Sequence, residues 1–197
     1  MNVWQFGSTS EFSAALIRTI TAKGHSVTAL GRATVDYDHP DAFIKTITKD
    51  NIPDIIIFNQ NVHGGARTPF KDHFQIDRPA EYAKFLSIFR QTFFFKLLLC
   101  EHLSGLNIKF VFITSSIAAL KSRGLEHIMY RVARSAEHQL IYSLNADGER
   151  TLGICPGGLN DDNILDIVNN TVDLLLNDDI ELGHLYFASS KMRVVHE

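Results

Sequence analysis

The sequence predicts an α/β fold: one domain over residues 1–197, with a doubly wound parallel sheet carrying helices on both faces. Three observations lead there. Short apolar runs alternate with segments of helical periodicity along the whole chain. Two of those runs, Asp54 to Phe58 and Lys109 to Thr114, are rich in apolar residues without alternation, as strands covered on both faces are. The length, 197 residues at 45% hydrophobic and 21% charged, suits a single sizeable core.

The elements follow in order. Val3 to Phe6 reads as a strand. Phe12, Ala15, Leu16, Ile17 and Ile20 form a helical stripe that Lys23-Gly24 ends. Val27 to Leu30 is the second strand, and Pro40 to Lys49 a helix introduced by Asp38 or His39. Asp54 to Phe58 is the third strand, followed by a long helix from Pro79 to Leu103. After the strand Lys109 to Thr114 comes a second long helix, Glu126 to Leu144. A strand from Arg150 to Cys155, a helix from Asn163 to Leu176 and a last strand from Leu185 to Ala188 complete the alternation. Ligands of such sheets bind at the carboxyl ends of the strands, where the winding reverses.

Composition narrows the function. A net charge of -3 gives no electrostatic case for nucleic acid or an anionic membrane. The apolar run Phe93 to Cys100 is broken by Lys96 and is too short to span a bilayer. Cys100 and Cys155 sit in apolar runs without a partner at metal-ligand spacing. They read as buried thiols of a cytoplasmic protein, and no metal site is expected. The start, Met1-Asn2-Val3-Trp4-Gln5-Phe6, lacks the form of a signal peptide.

The chemistry-bearing residues cluster after strand ends. Gly7-Ser8-Thr9-Ser10 lies between the first strand and its helix, where free N–H donors and the positive end of the helix dipole receive phosphates. Ser8-Thr9-Ser10-Glu11 also has the form of a capping box, with Ser8 as N-cap, and that geometry occupies donors a pyrophosphate needs. Arg32 closes the second strand, the place of a residue that meets an adenosine ribose; an arginine there suits a 2′-phosphate, and a solvated arginine is the plainer reading. Asn59-Gln60 follows the third strand, with amides able to pin backbone and line a cleft. His63 nearby reads as a solvated loop residue. Ser115-Ser116 ends the next strand, and fourteen residues after Ser116 come Tyr130 and Arg134, one helical turn apart. Phenol, cation and hydroxyl together suit proton transfer in a carbonyl/alcohol couple; a surface tyrosine is the alternative. Pro156-Gly157 follows the fifth strand as a turn that clears space. The helices 79–103 and 126–144 carry more apolar surface than one sheet face covers, which predicts a homodimer or homotetramer.

Taken in order, these motifs resemble the short-chain dehydrogenase/reductase family across nearly the whole chain. The family's Thr-Gly-x-x-x-Gly-x-Gly is matched by Phe6, Gly7, Glu11 and Ser13; its Asn-Asn-Ala-Gly by Asn59-Gln60-Asn61-Val62; its Tyr-x-x-x-Lys by Tyr130 and Arg134; its Pro-Gly by Pro156 and Gly157. Glu181 to Tyr186 resembles the family's late Thr-Gly strand entry. The resemblance implies a Rossmann-like fold, with Ser116, Tyr130 and Arg134 as catalytic residues. It implies NADP(H) as cofactor, held by Gly7, Ser8, Thr9, Ser10, Arg32, Asp36 (for adenine), Asn59, Gln60, Pro156 and Gly157. The departures are as specific. The chain is shorter than the family commonly runs, two of three glycines are Glu11 and Ser13, arginine replaces the lysine, and Ser189-Ser190 replaces a late Gly-Gly. The long helix lacks the family's asparagine, Gln91 being the nearest substitute. Three functions stay open: an NADP(H)-dependent oxidoreductase acting on a carbonyl or alcohol, a catalytically degenerate relative that binds a ligand or protein, and a related activity such as an epimerase or isomerase.

Overall fold

The computed structural model of the chain describes residues 1–60, 78–114, 128–157, 162–189 and 193–194. A seven-stranded sheet has the order β2-β1-β3-β4-β5-β6-β7. Its strands are β1 (Asn2–Phe6), β2 (Ser26–Leu30), β3 (Ile55–Phe58), β4 (Lys109–Ile113), β5 (Arg150–Cys155), β6 (Leu185–Phe187) and β7 (Arg193–Val194). The first six are parallel, and β7 runs antiparallel on the edge of β6. That short edge strand carries no sequence signal, since two residues are too few for a period. From β1 the winding goes outward to β2 and then returns to β3 on the other side, so the reversal lies between β1 and β3.

Alternation along the strands builds two cores. Trp4, Phe6, Ile56, Phe58, Phe110 and Phe112 face one side. Val3, Ile55, Ile57, Val111, Ile113, Leu152 and Ile154 face the other, under α1 (Glu11–Ala22) and α6 (Ile164–Leu176). The aromatic side is covered by α4 (Phe95–His102), by α5 (Ile128–Ala146) and by the segment after β2.

That segment differs from expectation. In place of one helix from Pro40 to Lys49 there is a four-residue α2 (Asp41–Ile44), and a single 3-10 turn at Lys49–Asn51 follows. Ile44, Thr46, Ile47 and Thr48 are β-branched, and the Thr46 hydroxyl donates back to the Phe43 carbonyl at 2.6 Å, in competition with helix continuation. Phe43, Ile44, Ile47 and Ile52 all pack on the core, so the segment follows the aromatic face of the sheet through its helical and its irregular parts.

The helix expected from Pro79 to Leu103 exists with a wide turn inside it. α3 (Arg78–Phe89) passes through a π turn, Arg90–Phe94, into α4. The buried residues explain the turn. Gln91-Thr92, Phe95-Lys96 and Leu99-Cys100 are buried in pairs four apart. A 3.6-residue helix drifts away from a period of four, and one wide turn absorbs the drift.

Candidate functional site

The turn after β1 shows what its glycine is for. Gly7 has φ +85°, and a Cβ there would stand 2.7 Å from the Asn59 carbonyl oxygen and 2.9 Å from the Gln60 nitrogen. The glycine is required by the close approach of the β1 and β3 ends, whatever binds above them.

The expected capping box at Ser8 and Glu11 is not formed. Ser10 is the N-cap of α1, its side chain accepting from the Ser13 N–H at 3.1 Å, and Glu11 is the first helical residue and exposed. Ser10 is still extended, and the helix starts at Glu11, two residues later than the box requires. Ser13, where the family has a glycine, is buried and works as a clasp. Its hydroxyl accepts from Asn59 Nδ2 at 2.7 Å and meets Ser10 Oγ at 2.7 Å, while its carbonyl accepts from Gln5 Nε2 at 3.2 Å. Asn59 is therefore committed to joining β3 to α1.

Gln60, its neighbour, is 5% exposed, and neither its Nε2 nor its Oε1 has a hydrogen-bond partner among the described residues. It lies beside the hydroxyl of Tyr37, a residue of the β2–α2 segment that donates to the Leu30 carbonyl at 3.3 Å. Burial pushes the Tyr37 phenol up, with the Gln60 side chain and the Gly7 backbone offsetting part of that. The Gln60 amide and the Tyr37 hydroxyl are thus neighbours short of full hydrogen-bond geometry. Such an orphaned buried amide, offering both donor and acceptor, calls for a partner.

At the end of β2, the exposed Arg32 donates from Nη2 to Gln91 Oε1 at 3.2 Å, and Gln91 donates in turn to Asp38 Oδ2 at 3.3 Å and Ser87 Oγ at 3.0 Å. Gln91, considered in place of the family's asparagine, stands on the Arg32 side. Asp36 turns its carboxylate on its own loop. It accepts from the Asp38 and His39 N–H groups and faces His39 Nδ1 at 3.3 Å, and these bonds hold its carboxyl below the usual range.

Arg134 lies against the ends of β3 and β4. It is 1% exposed. Nη1 donates to Glu137 Oε2 at 2.6 Å and to the Ile113 carbonyl at 3.5 Å, and Nη2 donates to the Gln60 carbonyl at 3.4 Å. Glu137, itself fully buried, also pairs with Lys96 of α4. Lys96 Nζ lies 5.7 Å from the Phe58 ring centre and 5.9 Å from that of Phe112. Burial alone would raise the Glu137 carboxyl, but the charges of Arg134 and Lys96 hold it down at about 2. Burial and the neighbouring Arg134 lower the Lys96 ammonium. The Thr114 hydroxyl meets His138 Nε2 at 3.2 Å and contributes to holding Glu137 ionised. Beneath the end of β4 there is thus a buried Lys96–Glu137–Arg134 triad.

The sequence reading missed Lys96 and Glu137. The signals were a lysine inside the apolar run Phe93 to Cys100 and a glutamate three residues after Arg134 on the same helix. Tyr130 and Arg134 do share α5. The side chain of Tyr130 and the expected catalytic Ser116 lie outside the described residues, as do Asn61 to Gly65 and Gly158. Pro156 is buried, and Gly157, with φ +83°, makes the turn after β5.

No protein-family model and no curated protein matches the sequence. Solved structures do. A small-chain dehydrogenase superposes with a TM-score of 0.75 at 13% identity, over 95% of each chain. A small-chain dehydrogenase in complex with NADPH gives 0.70 at 15% identity, again over 95% of each. A short-chain dehydrogenase/reductase family oxidoreductase from Brucella ovis, with a partially ordered NAD, gives 0.70 at 16% identity over 94% of this chain and 98% of that one. The chain has the fold of the short-chain dehydrogenases at the length of these small examples, so the shortness expected to mark a trimmed relative does not set it apart from them.

Proposed function

We propose that the protein binds an adenine dinucleotide, NADP(H) ahead of NAD(H), at the carboxyl ends of β1, β2 and β3, and uses it to interconvert a carbonyl and an alcohol. The observation that carries this reading is the Gln60 amide. It is buried at the β1/β3 reversal, where ligands of doubly wound sheets bind, and has no hydrogen-bond partner among the described residues. The residues present fit a dinucleotide there: Gln60 offers both hydrogen-bond senses, and Arg32 offers a cation at the end of β2 to a 2′-phosphate. The cofactor supplies the hydride. Tyr130 is the acid/base that moves a proton at the substrate oxygen, and Ser116 orients that oxygen. Arg134 keeps a positive charge under the site, reduced by its pairing with Glu137.

The test is a fluorescence titration of the full chain with NADPH and with NADH. Wild type should favour NADPH, and Arg32→Ala should erode that preference. Gln60→Leu should weaken NADPH binding while thermal stability holds or rises, because it removes an unsatisfied buried polar group. No NADPH binding by the wild type at millimolar cofactor would overturn the reading.

A second reading is a catalytically degenerate binding module. The pairing of Arg134 with Glu137 favours it, since a phenol with a pKa near 10 needs an unspent cation to work near neutrality. NADPH that binds but is never oxidised by a panel of aldehydes and ketones would decide for this reading. Either way, a homodimer or homotetramer is expected through the long helices, where Tyr82, Phe94, Leu98 and Val132 are exposed. A monomer in light scattering would count against that. Among the described residues no helix is long and apolar enough to cross a membrane.

A further inference from the structure

The bonds around Gln91 hold a charge apart from its natural partner. The Gln91 amide cannot be turned around: a guanidinium only donates and a carboxylate only accepts, so Oε1 must face Arg32 and Nε2 must face Asp38. A neutral amide therefore stands between a cation and an anion that would otherwise pair directly and bidentately. Asp38 bears the mark of that separation, because its Oδ1 is buried with no hydrogen-bond partner among the described residues. Arg32 is left engaged through Nη2 by a neutral acceptor, exposed, with its charge unspent. Gln91 owes its place to the π turn, which keeps it on the core side at 8% exposure although the period of the buried positions is four.

We propose that Gln91 is a specificity-determining spacer: it keeps Arg32 from closing on Asp38, so that the guanidinium stays available to a phosphomonoester, the 2′-phosphate of an adenosine. The inference rests on the dinucleotide reading above and adds to it the residue that keeps the recognising charge free. Without the spacer, Arg32 closes on Asp38, and a carboxylate takes the place meant for the phosphate.

The probes are adenosine 2′,5′-bisphosphate and 5′-AMP, titrated calorimetrically into the full chain, so that no turnover is needed. Wild type should prefer the bisphosphate by roughly tenfold or more, about 1.4 kcal/mol. Gln91→Ala should shrink the preference to about threefold or less, and the double variant Gln91→Ala/Asp38→Asn should restore it, since the competing carboxylate is gone. Gln91→Met keeps the volume and replaces Gln91→Ala should the latter unfold. A preference untouched in the Gln91 variants overturns the spacer role. So does one that is lost and not restored by Asp38→Asn. A wild type that binds both probes equally overturns the assignment of Arg32 to a 2′-phosphate, and one that binds neither overturns the dinucleotide reading itself.

Discussion

Arg32, at the end of β2, and Arg134, beneath the ends of β3 and β4, stand on the same edge of the sheet in opposite circumstances. Arg134 is buried, and its two terminal nitrogens serve Glu137 and two strand-end carbonyls. Arg32 is exposed and held through Nη2 by a neutral amide. The difference lies in the partners that surround each guanidinium. α5, which carries Arg134 itself, adds Glu137 one turn away, and α4 adds Lys96, so two buried cations share one carboxylate where water is excluded. The π turn brings Gln91 to Arg32 and leaves its charge uncompensated where solvent reaches it. The first arrangement holds the sheet edge together, and the second keeps a cation ready for an anionic ligand.

The comparison breaks most visibly at Glu137. Glu137→Ala leaves Lys96 and Arg134 buried without their counter-ion and should cost about 3–5 kcal/mol in urea unfolding. Lys96→Met should cost much less, because Glu137 keeps Arg134. Equal costs would mean that Arg134 is not the principal partner.

Acid should act on the same point. The Glu137 carboxyl is depressed in the folded state from 4.5 to about 2, so its contribution is fully present above pH 4.5 and is lost as pH falls towards 2. Glu137→Gln should flatten the decline of the unfolding midpoint across that window. A decline of unchanged slope would place the acid sensitivity elsewhere.

Exchanging each arginine for lysine compares the two regions directly. Lysine cannot span the acceptors that Arg134 meets among the described residues, so Arg134→Lys should cost about 1–3 kcal/mol. Arg32→Lys, at an exposed position, should stay within about 0.5 kcal/mol and register in ligand preference instead. A stability loss at Arg32 as large as at Arg134 would erase the distinction.

The smallest effect concerns the turn above β1. Ser10→Ala removes the observed cap of α1 and should cost about 1 kcal/mol, whereas Ser8→Ala should be silent within about 0.5 kcal/mol. The reverse order would reinstate the capping box at Ser8 and Glu11.

Much of the fold was legible because its signals are local. The unbroken apolar runs of β3 and β4 marked strands covered on both faces, and Arg150 to Cys155 was bounded to the residue. The helix expected after Pro40 failed where local signals conflicted: a moderately apolar stretch was rich in β-branched residues, and contact with Trp4 and Phe6 decided its path. At the site, Gly7, Arg32, Asn59 and Gln60 were picked out by position after strand ends and Arg134 by its spacing from Tyr130, and the structure brings them to one edge. Their partners were not legible, because a side chain's partner depends on which distant element arrives beside it.

The sequence by itself determined that six strands would lie parallel with helices on both faces, since apolar periodicity depends on neighbours only a few residues away. The tertiary structure alone decided what each polar group does. Ser13 became a clasp because Asn59 packs over it, Arg134 a buried ion because Lys96 and Glu137 meet it, and Arg32 a free cation because a π turn slips Gln91 in front of Asp38. Burying a polar group is costly until it finds a partner, and the partner is fixed only when the elements close on one another.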